Sequence, residues 1–496
     1  MLKSKRSYKY CGETIMVASA AYIEETNTQV EKLVSVFERQ KNAFKYSPIP
    51  TAKERVQNLK KLQQVLVKHQ SALTQALSKD FGTRHSDVST LNDIMLSLEN
   101  IKYQAKRVKK WMKPSKPHVG IKLQPVAASV HYQPKGVVGI IAPWNFPVAM
   151  AMLPLATALA AGNRAIIKPS EFTPHTAQAI QLMIEDVFTE DEVAVVPGEM
   201  EVGIEFTKLP FDHIVFTGST VVGKHVMRAA AENLTPVTLE LGGKSPAIIS
   251  NNVPLKDCVE RLLYGKTTNA GQICISPDYI LCPPSRIDEF VETCKSVFTS
   301  FYPTIKNNGD YTSIINDRQY QRLLGHIEDA KAKGATVIEI NPASEQLNSA
   351  ARKLPLHLIL NPTDDMICMQ EEIFGPILPI KACSSVENAL SYIREQPRPL
   401  SLYYFGYNKT EQKLVVENSI SGSMCLNDTI NQLSIDDMPF GGTGPSGMGN
   451  YHGYDGFKEL SHAKSVLSRP RYNAIKPLYP PYDRFFHKLV NKFMVK

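Results

Sequence analysis

The stretch GVVGIIAPWNFPVAMAMLPLATALAAGNRAIIKPSE, residues 136–171, decides the fold. Two short apolar runs, GVVGIIA (136–142) and RAIIK (164–168), bracket VAMAMLPLATALAAG (148–162), which has a helical pattern. Strands that are apolar throughout, alternating with helices, belong to a parallel sheet covered on both faces. The texture continues through HTAQAIQLMIEDVF (175–188), EVAVVPG (192–198) and HIVFTG (213–218). A second alternating block runs from SPAIIS (245–250) to about residue 430, with strand-like DYILC and helical SRIDEFVETCKSVFTSF. The expected fold class is therefore α/β, with ligands bound beyond the carboxyl ends of the strands.

Upstream, residues 30–112 carry helical patterns; ERVQNLKKLQQVLVKHQSALTQALSKDF (54–81) has apolar residues at three- and four-residue spacing. The segment IKLQPVAASVHYQP (121–134) turns towards period two and reads as a hairpin or protruding strand pair. From 470 the chain is Pro-rich and then basic and amphipathic. That tail reads as a surface helix or partner contact; a membrane surface is the sharper alternative, because Phe485, Phe486, Leu489 and Phe493 can share one face.

A chain of 496 residues predicts two or three domains. The net charge of +8 is spread among 48 acids, without the aromatic-interleaved basic stripe of a nucleic-acid binder. Eight cysteines without a CxxC pair form neither a disulfide framework nor a zinc site, so no metal is expected and the compartment is expected to be reducing and cytoplasmic. No apolar run reaches the length of a membrane span. The basic N-terminus lacks the hydrophobic core of a signal peptide. The Gly12–Glu13 pair is compatible with a ribosome-binding site ahead of Met16, so Met1 and Met16 both stand as starts.

FTGSTVVGKH (216–225) nearly matches a P-loop, but His225 stands where a metal-binding hydroxyl is needed. What survives is a Gly218–Ser219 turn opening a helix, suited to a pyrophosphate. GGTGPSG (441–447) satisfies a glycine-rich pattern only formally, with Pro445 inside it, and reads as a structural loop. At a strand end, Lys168 and Glu171 of KPSE suit the hydroxyls of an adenosine ribose, or equally form a solvated pair. Asn145 in APWNFP is a turn asparagine or a preorganised donor for an oxyanion. Glu240, between two leucines in LELGGKSP, is costly to bury unless its raised pKa serves a general base. Cys258 and Cys294 fall at helical spacing and read as core filler, whereas Cys274 in AGQICIS lies outside any long amphipathic pattern.

The ordered set PWNFP, KPSE, FTGSTVVG, LELGGKSP, GQIC, EEIFGP (371–376) and PFGGTGPSGMG resembles the aldehyde dehydrogenase superfamily over roughly residues 30–470. SGMGNYHGYDGFKELSHAKSV and GQICISPDYILCP resemble its class 3 branch, and within it the coniferyl aldehyde dehydrogenases. The resemblance implies Cys274 as nucleophile, Glu240 as general base and Asn145 as oxyanion donor. It implies a cofactor set of Trp144, Lys168, Ser170, Glu171, Gly198, Gly218, Ser219, Gly223, Leu241, Gly242, Glu372 and Phe374. Its organisation is a Rossmann-like cofactor domain (30–120 and 135–241), an α/β catalytic domain (242–454) and a β oligomerisation arm (121–134 and 455–470). An extension (1–29) and a tail (471–496) flank these, and a homodimer is implied.

The expected activity is oxidation of an apolar aldehyde, aromatic or medium- to long-chain aliphatic, to the acid. A carboxylate at Glu171 repels a 2′-phosphate, so NAD is expected as the preferred cofactor, with NADP tolerated. The rival readings are a CoA-acylating dehydrogenase, which the presence of Glu240 opposes, and a catalytically silent homologue, which the full set Cys274, Glu240 and Asn145 opposes.

Overall fold

The computed structural model describes residues 8–120 and 123–495. The start at Met1 and the first residues of the expected 1–29 extension lie outside this range. A single helix, Tyr8–Tyr46, runs across the expected boundary at residue 29.

One sheet has the order Gly447–Met448, Val237–Leu241, His213–Gly218, Val137–Ile141, Arg164–Lys168, Val193–Val195. The five strands other than Gly447–Met448 pair in parallel, and Gly447–Met448 closes the edge antiparallel to Val237–Leu241. The second sheet has the order Ser423–Leu426, Ser401–Phe405, Pro246–Ile249, Tyr279–Cys282, Ile377–Ala382, Leu356–Leu360, Thr336–Ile340. It too is parallel except at one edge, where Thr336–Ile340 runs antiparallel to Leu356–Leu360. No α-helix lies in the connection between those two strands, and an antiparallel pair needs no helical crossover.

The helix Ala149–Ala161 has every residue buried, which is why its sequence is apolar all round rather than striped. Arg55 caps its end. The guanidinium donates from Nη1 to the carbonyls of Ala160 (3.1 Å) and Ala161 (2.7 Å) and from Nε to Pro50 (3.1 Å). A cation at a helix C-terminus satisfies carbonyls that have no partner within the helix. Gly162 (φ +88°) ends this helix, and a Cβ there would come within 2.6 Å of the Arg55 guanidinium carbon.

The hairpin reading of 121–134 is corrected. A single strand, Ala127–Pro134, pairs antiparallel with the distant strand Ser461–Ser468. Residues 455–459 of the expected arm belong instead to the helix Gly453–Glu459. The period-two pattern signalled a strand correctly but carried no information on a partner more than 300 residues away. The tail forms a helix, Phe485–Met494, with Phe485 and Phe493 largely exposed. No described helix is long and apolar enough to cross a membrane.

Candidate active site

Residues at and just beyond the carboxyl ends of the first sheet's strands line a cleft of about 680 Å³ together with segments 273–275, 370–374 and 430–434. The sequence brings Cys274 there through an unusual turn. Asn269, Ala270 and Gly271 are all left-handed, with φ of 52°, 52° and 73°. Such conformations cost of order 1–3 kcal/mol each for residues with a Cβ and persist only where surroundings hold them. Gly271 has no alternative: a Cβ there would lie 2.6 Å from the Gly375 carbonyl oxygen.

Gln272 and Asn269 provide the hold. Gln272 Nε2 donates to the carbonyls of Asn269 (2.9 Å) and Ser313 (3.2 Å), while its Oε1 accepts from Ile315 N–H (3.0 Å). Asn269 Nδ2 donates to the carbonyl of Asn145 (3.1 Å). Asn145 returns the link, its Nδ2 donating to the Gln272 carbonyl at 3.1 Å. One amide hydrogen of Asn145 is thereby used and the second is left for a ligand in the cleft that Asn145 lines.

Cys274 is half-buried against this turn and lines the same cleft. Burial, reinforced by the negative charges of Glu372 and Glu240, pushes its thiol up to about 12. Glu240 is the penultimate residue of the strand Val237–Leu241, is 4% exposed, and has no hydrogen-bond partner on either carboxylate oxygen. Burial alone holds its carboxyl well above the usual carboxylate range. Glu372 is pushed up to about 8 by burial, then by Asp278, against an opposing hydrogen bond from Gly243 N–H. A Cβ on Gly242 would meet Glu372 Oε2 at 2.0 Å, so only glycine admits this carboxylate. Phe374, left-handed at φ 52°, sets its ring 5.2 Å from that of Trp144, edge to face.

Of the residues singled out from sequence, Cys274, Glu240, Asn145, Trp144, Gly218, Ser219, Gly242, Glu372 and Phe374 all line this cleft. Ser219 caps the helix Thr220–Ala231, accepting from Val222 N–H at 3.4 Å, so that helix N-terminus opens on the cleft. Lys168, Ser170, Glu171, Gly198, Gly223 and Leu241 do not line it. Lys168 Nζ and Glu171 Oε2 pair at 3.0 Å at their strand end. Gly223 and Leu241 pack together: a Cβ on Gly223 would meet Leu241 Cδ2 at 2.6 Å, so this is where helix and sheet touch.

A single family profile, the aldehyde dehydrogenase family, matches residues 13–466. The chain belongs to the aldehyde dehydrogenase family. A protein of Pseudomonas aeruginosa named probable coniferyl aldehyde dehydrogenase is 53% identical over 481 residues, covering 97% of this chain and all of that one. The substrate-bound state of Staphylococcus aureus AldH superposes with a TM-score of 0.87 at 36% identity, over 92% of this chain and 99% of that one. The Mycobacterium tuberculosis aldehyde dehydrogenase solved with NAD+ superposes with a TM-score of 0.80 at 28% identity, over 90% and 91%. The chain is accordingly an oxidoreductase with the aldehyde dehydrogenase fold.

Sequence reading overlooked the supports of this aldehyde dehydrogenase site: Asn269, Gln272, Arg84 and Asp93. An asparagine ahead of Ala–Gly is a usable signal for a left-handed turn, but nothing in the sequence tells which carbonyl it reaches. Because the Cys274 thiol is held neutral, its alkylation by iodoacetamide in cofactor-free enzyme should rise across about pH 6–10 without a plateau. Mass spectrometry of the labelled peptide reads this, and a plateau near neutrality would show a thiolate already formed.

Proposed function

We propose that this enzyme oxidises an apolar aldehyde to its acid with NAD, through covalent intermediates on Cys274. The observation that carries the reading is a half-buried thiol sharing one cleft with an amide donor and an unpartnered buried carboxylate. An aldehyde does not give up hydride directly, because an acylium ion would result. Addition of the Cys274 sulfur to the carbonyl carbon makes a tetrahedral adduct whose oxygen carries the charge. The free amide hydrogen of Asn145 is suited to that oxygen.

The cleft also fits the cofactor. Its size lies within the range of small-molecule sites, and the N-terminus of Thr220–Ala231, opened by Gly218 and Ser219, favours a pyrophosphate. Lys168 and Glu171 are suited to its adenosine ribose, Trp144, Glu372 and Phe374 to its nicotinamide end. Once bound, NAD supplies the acceptor for the hydride that leaves the adduct. A thioester then remains on Cys274, and Glu240 takes a proton from the water that attacks it. A raised carboxyl pKa suits that task, since a base titrating near the working pH is the most effective. Hydrolysis by Glu240 is the reason for preferring acid over acyl-CoA as the product.

Leu96, Met150, Tyr264, Ile273, Ile430 and Leu433 make the cleft wall mainly apolar, with Asn92, Asn431 and Ser434 among them. This mixture suits a phenolic aromatic aldehyde, and the name of the Pseudomonas relative points to coniferyl aldehyde. The strand Ser461–Ser468, exposed along nearly its whole length, offers an edge to a second copy, in keeping with a homodimer. Free cysteines throughout the described residues suit the reducing cytoplasm.

NADH absorbance with a panel of coniferyl aldehyde, benzaldehyde, hexanal and acetaldehyde tests the reading. The expected order places coniferyl aldehyde first in kcat/KM and acetaldehyde last, with NAD above NADP. Turnover of acetaldehyde alone would reject an apolar specificity, and no turnover of any aldehyde would reject the function.

A further inference from the structure

Two charged residues that belong to none of the sequence motifs, Arg84 and Asp93, are both fully enclosed and form an ion pair of 2.6 Å. Taking an ion pair out of water costs about as much as its attraction returns, so such a pair adds little over apolar residues of equal volume. Its effect therefore lies in where its remaining hydrogen bonds point. Arg84 Nη1 donates to the backbone carbonyl of Asn145 at 3.1 Å. Asp93 Oδ1 accepts from the N–H groups of Val148 (3.1 Å) and Ala149 (3.0 Å), where the buried helix Ala149–Ala161 begins. The pair thus grips the turn 145–149 at both ends.

The guanidinium is packed against two aromatic rings. Its carbon lies 4.9 Å from the ring centre of Phe81 and 4.9 Å from that of Phe146. Asp93 sits in a π-helical turn, Thr90–Met95, a geometry associated with functional sites. Leu91, Asn92 and Met95 of that same turn line the cleft. The Asn145 carbonyl meanwhile accepts a second hydrogen bond from Asn269, on the strained turn that leads into Cys274. One carbonyl oxygen therefore ties the amide-bearing loop, the thiol-bearing loop and the Arg84–Asp93 pair together.

We propose that the Arg84–Asp93 pair is a positioning device that sets the Asn145 amide in register with the Cys274 sulfur. The inference rests on Asn145 acting as the oxyanion donor. A planar fork clamped between two rings holds a carbonyl in one direction, which a lysine ammonium on a flexible stem does not. A displacement of about 1 Å at such a donor can cost about 10²-fold in rate.

The test is a double-mutant cycle on the full-length enzyme, with benzaldehyde and NAD. Asn145→Ala is expected to lower kcat/KM for the aldehyde by about 10²–10³-fold. Arg84→Lys is expected to lower it by about 10²-fold, with the Kd for NAD, read by protein fluorescence, unchanged. In the Asn145→Ala background, Arg84→Lys should then cost no more than about twofold, because the donor it positions is gone. A merely structural role predicts the same loss in both backgrounds, and that result overturns the inference, as does wild-type kcat/KM in Arg84→Lys. If Arg84→Lys yields no folded protein, the near-isosteric Asp93→Asn replaces it with the same two expectations. Wild-type activity in Asn145→Ala would instead remove the oxyanion reading itself, and the inference with it.

Discussion

Cys274→Ala is expected to abolish aldehyde-dependent NADH formation, by at least about 10⁴-fold in kcat, while the enzyme still binds NAD. The reason is that no other side chain can take over the covalent step. Among the described cysteines, Cys258, Cys282, Cys294 and Cys368 are buried, and Cys383 and Cys425, though half-buried, do not line the cleft. The cleft does hold serine and threonine hydroxyls, but an unactivated hydroxyl is a far weaker nucleophile than a thiolate. Stopped-flow absorbance with coniferyl aldehyde measures the loss, and Kd for NAD by fluorescence shows that the fold survives. Turnover near the wild-type level in this variant would mean that oxidation proceeds without a bond to sulfur at position 274.

The second large effect is expected at Glu240. Glu240→Gln should still form the first equivalent of NADH in a burst and then stall, with steady-state kcat down by about 10²–10⁴-fold. The stalled species is the acyl-enzyme, visible in the intact mass as one acyl group on Cys274. The pH dependence follows from the direction of the shift. Burial raises the Glu240 carboxyl well above its ordinary value. The carboxylate needed to accept a proton is therefore absent at low pH and appears as pH rises through the raised pKa. Wild-type deacylation should climb along that limb, and the glutamine variant should lose it. Normal release of acid in rapid-quench experiments on Glu240→Gln would assign water activation to another group, Glu372 being next in line with its carboxyl pushed up to about 8.

Both effects depend on a thiol that starts neutral. Burial pushes the Cys274 thiol up to about 12, so the neutral form predominates at pH 7. Glu240 stands near enough to add to this disfavouring of the charged sulfur. The same low polarity that suppresses the thiolate strengthens every hydrogen bond aimed at a developing oxyanion.

Much of this was legible in the sequence because it is local. Alternating apolar runs and helical patterns depend only on spacing, and they marked the central strands of the first sheet but only Pro246–Ile249 and Tyr279–Cys282 of the second. Residues at strand ends stand out for a similar reason: Asn145, Lys168 and Gly218 each follow or end an apolar run, where side chains of a parallel sheet meet a ligand. The antiparallel edges were not legible, and the partner of Ala127–Pro134 came only through the family resemblance, which groups 121–134 with 455–470, since strand pairing joins segments without any local mark.

The sequence by itself determined the family and the two-sheet α/β class, and it singled out the residues proposed to act on an aldehyde. Those properties reside in residue type and short-range order, which survive in a linear string. Only the tertiary structure decided which of those residues share one cleft, that Glu240 is left without a hydrogen-bond partner, and that Asn145 is gripped from Arg84 and Asn269. Burial and long-range hydrogen bonds are properties of the packed chain, because each depends on atoms contributed by segments far apart along it.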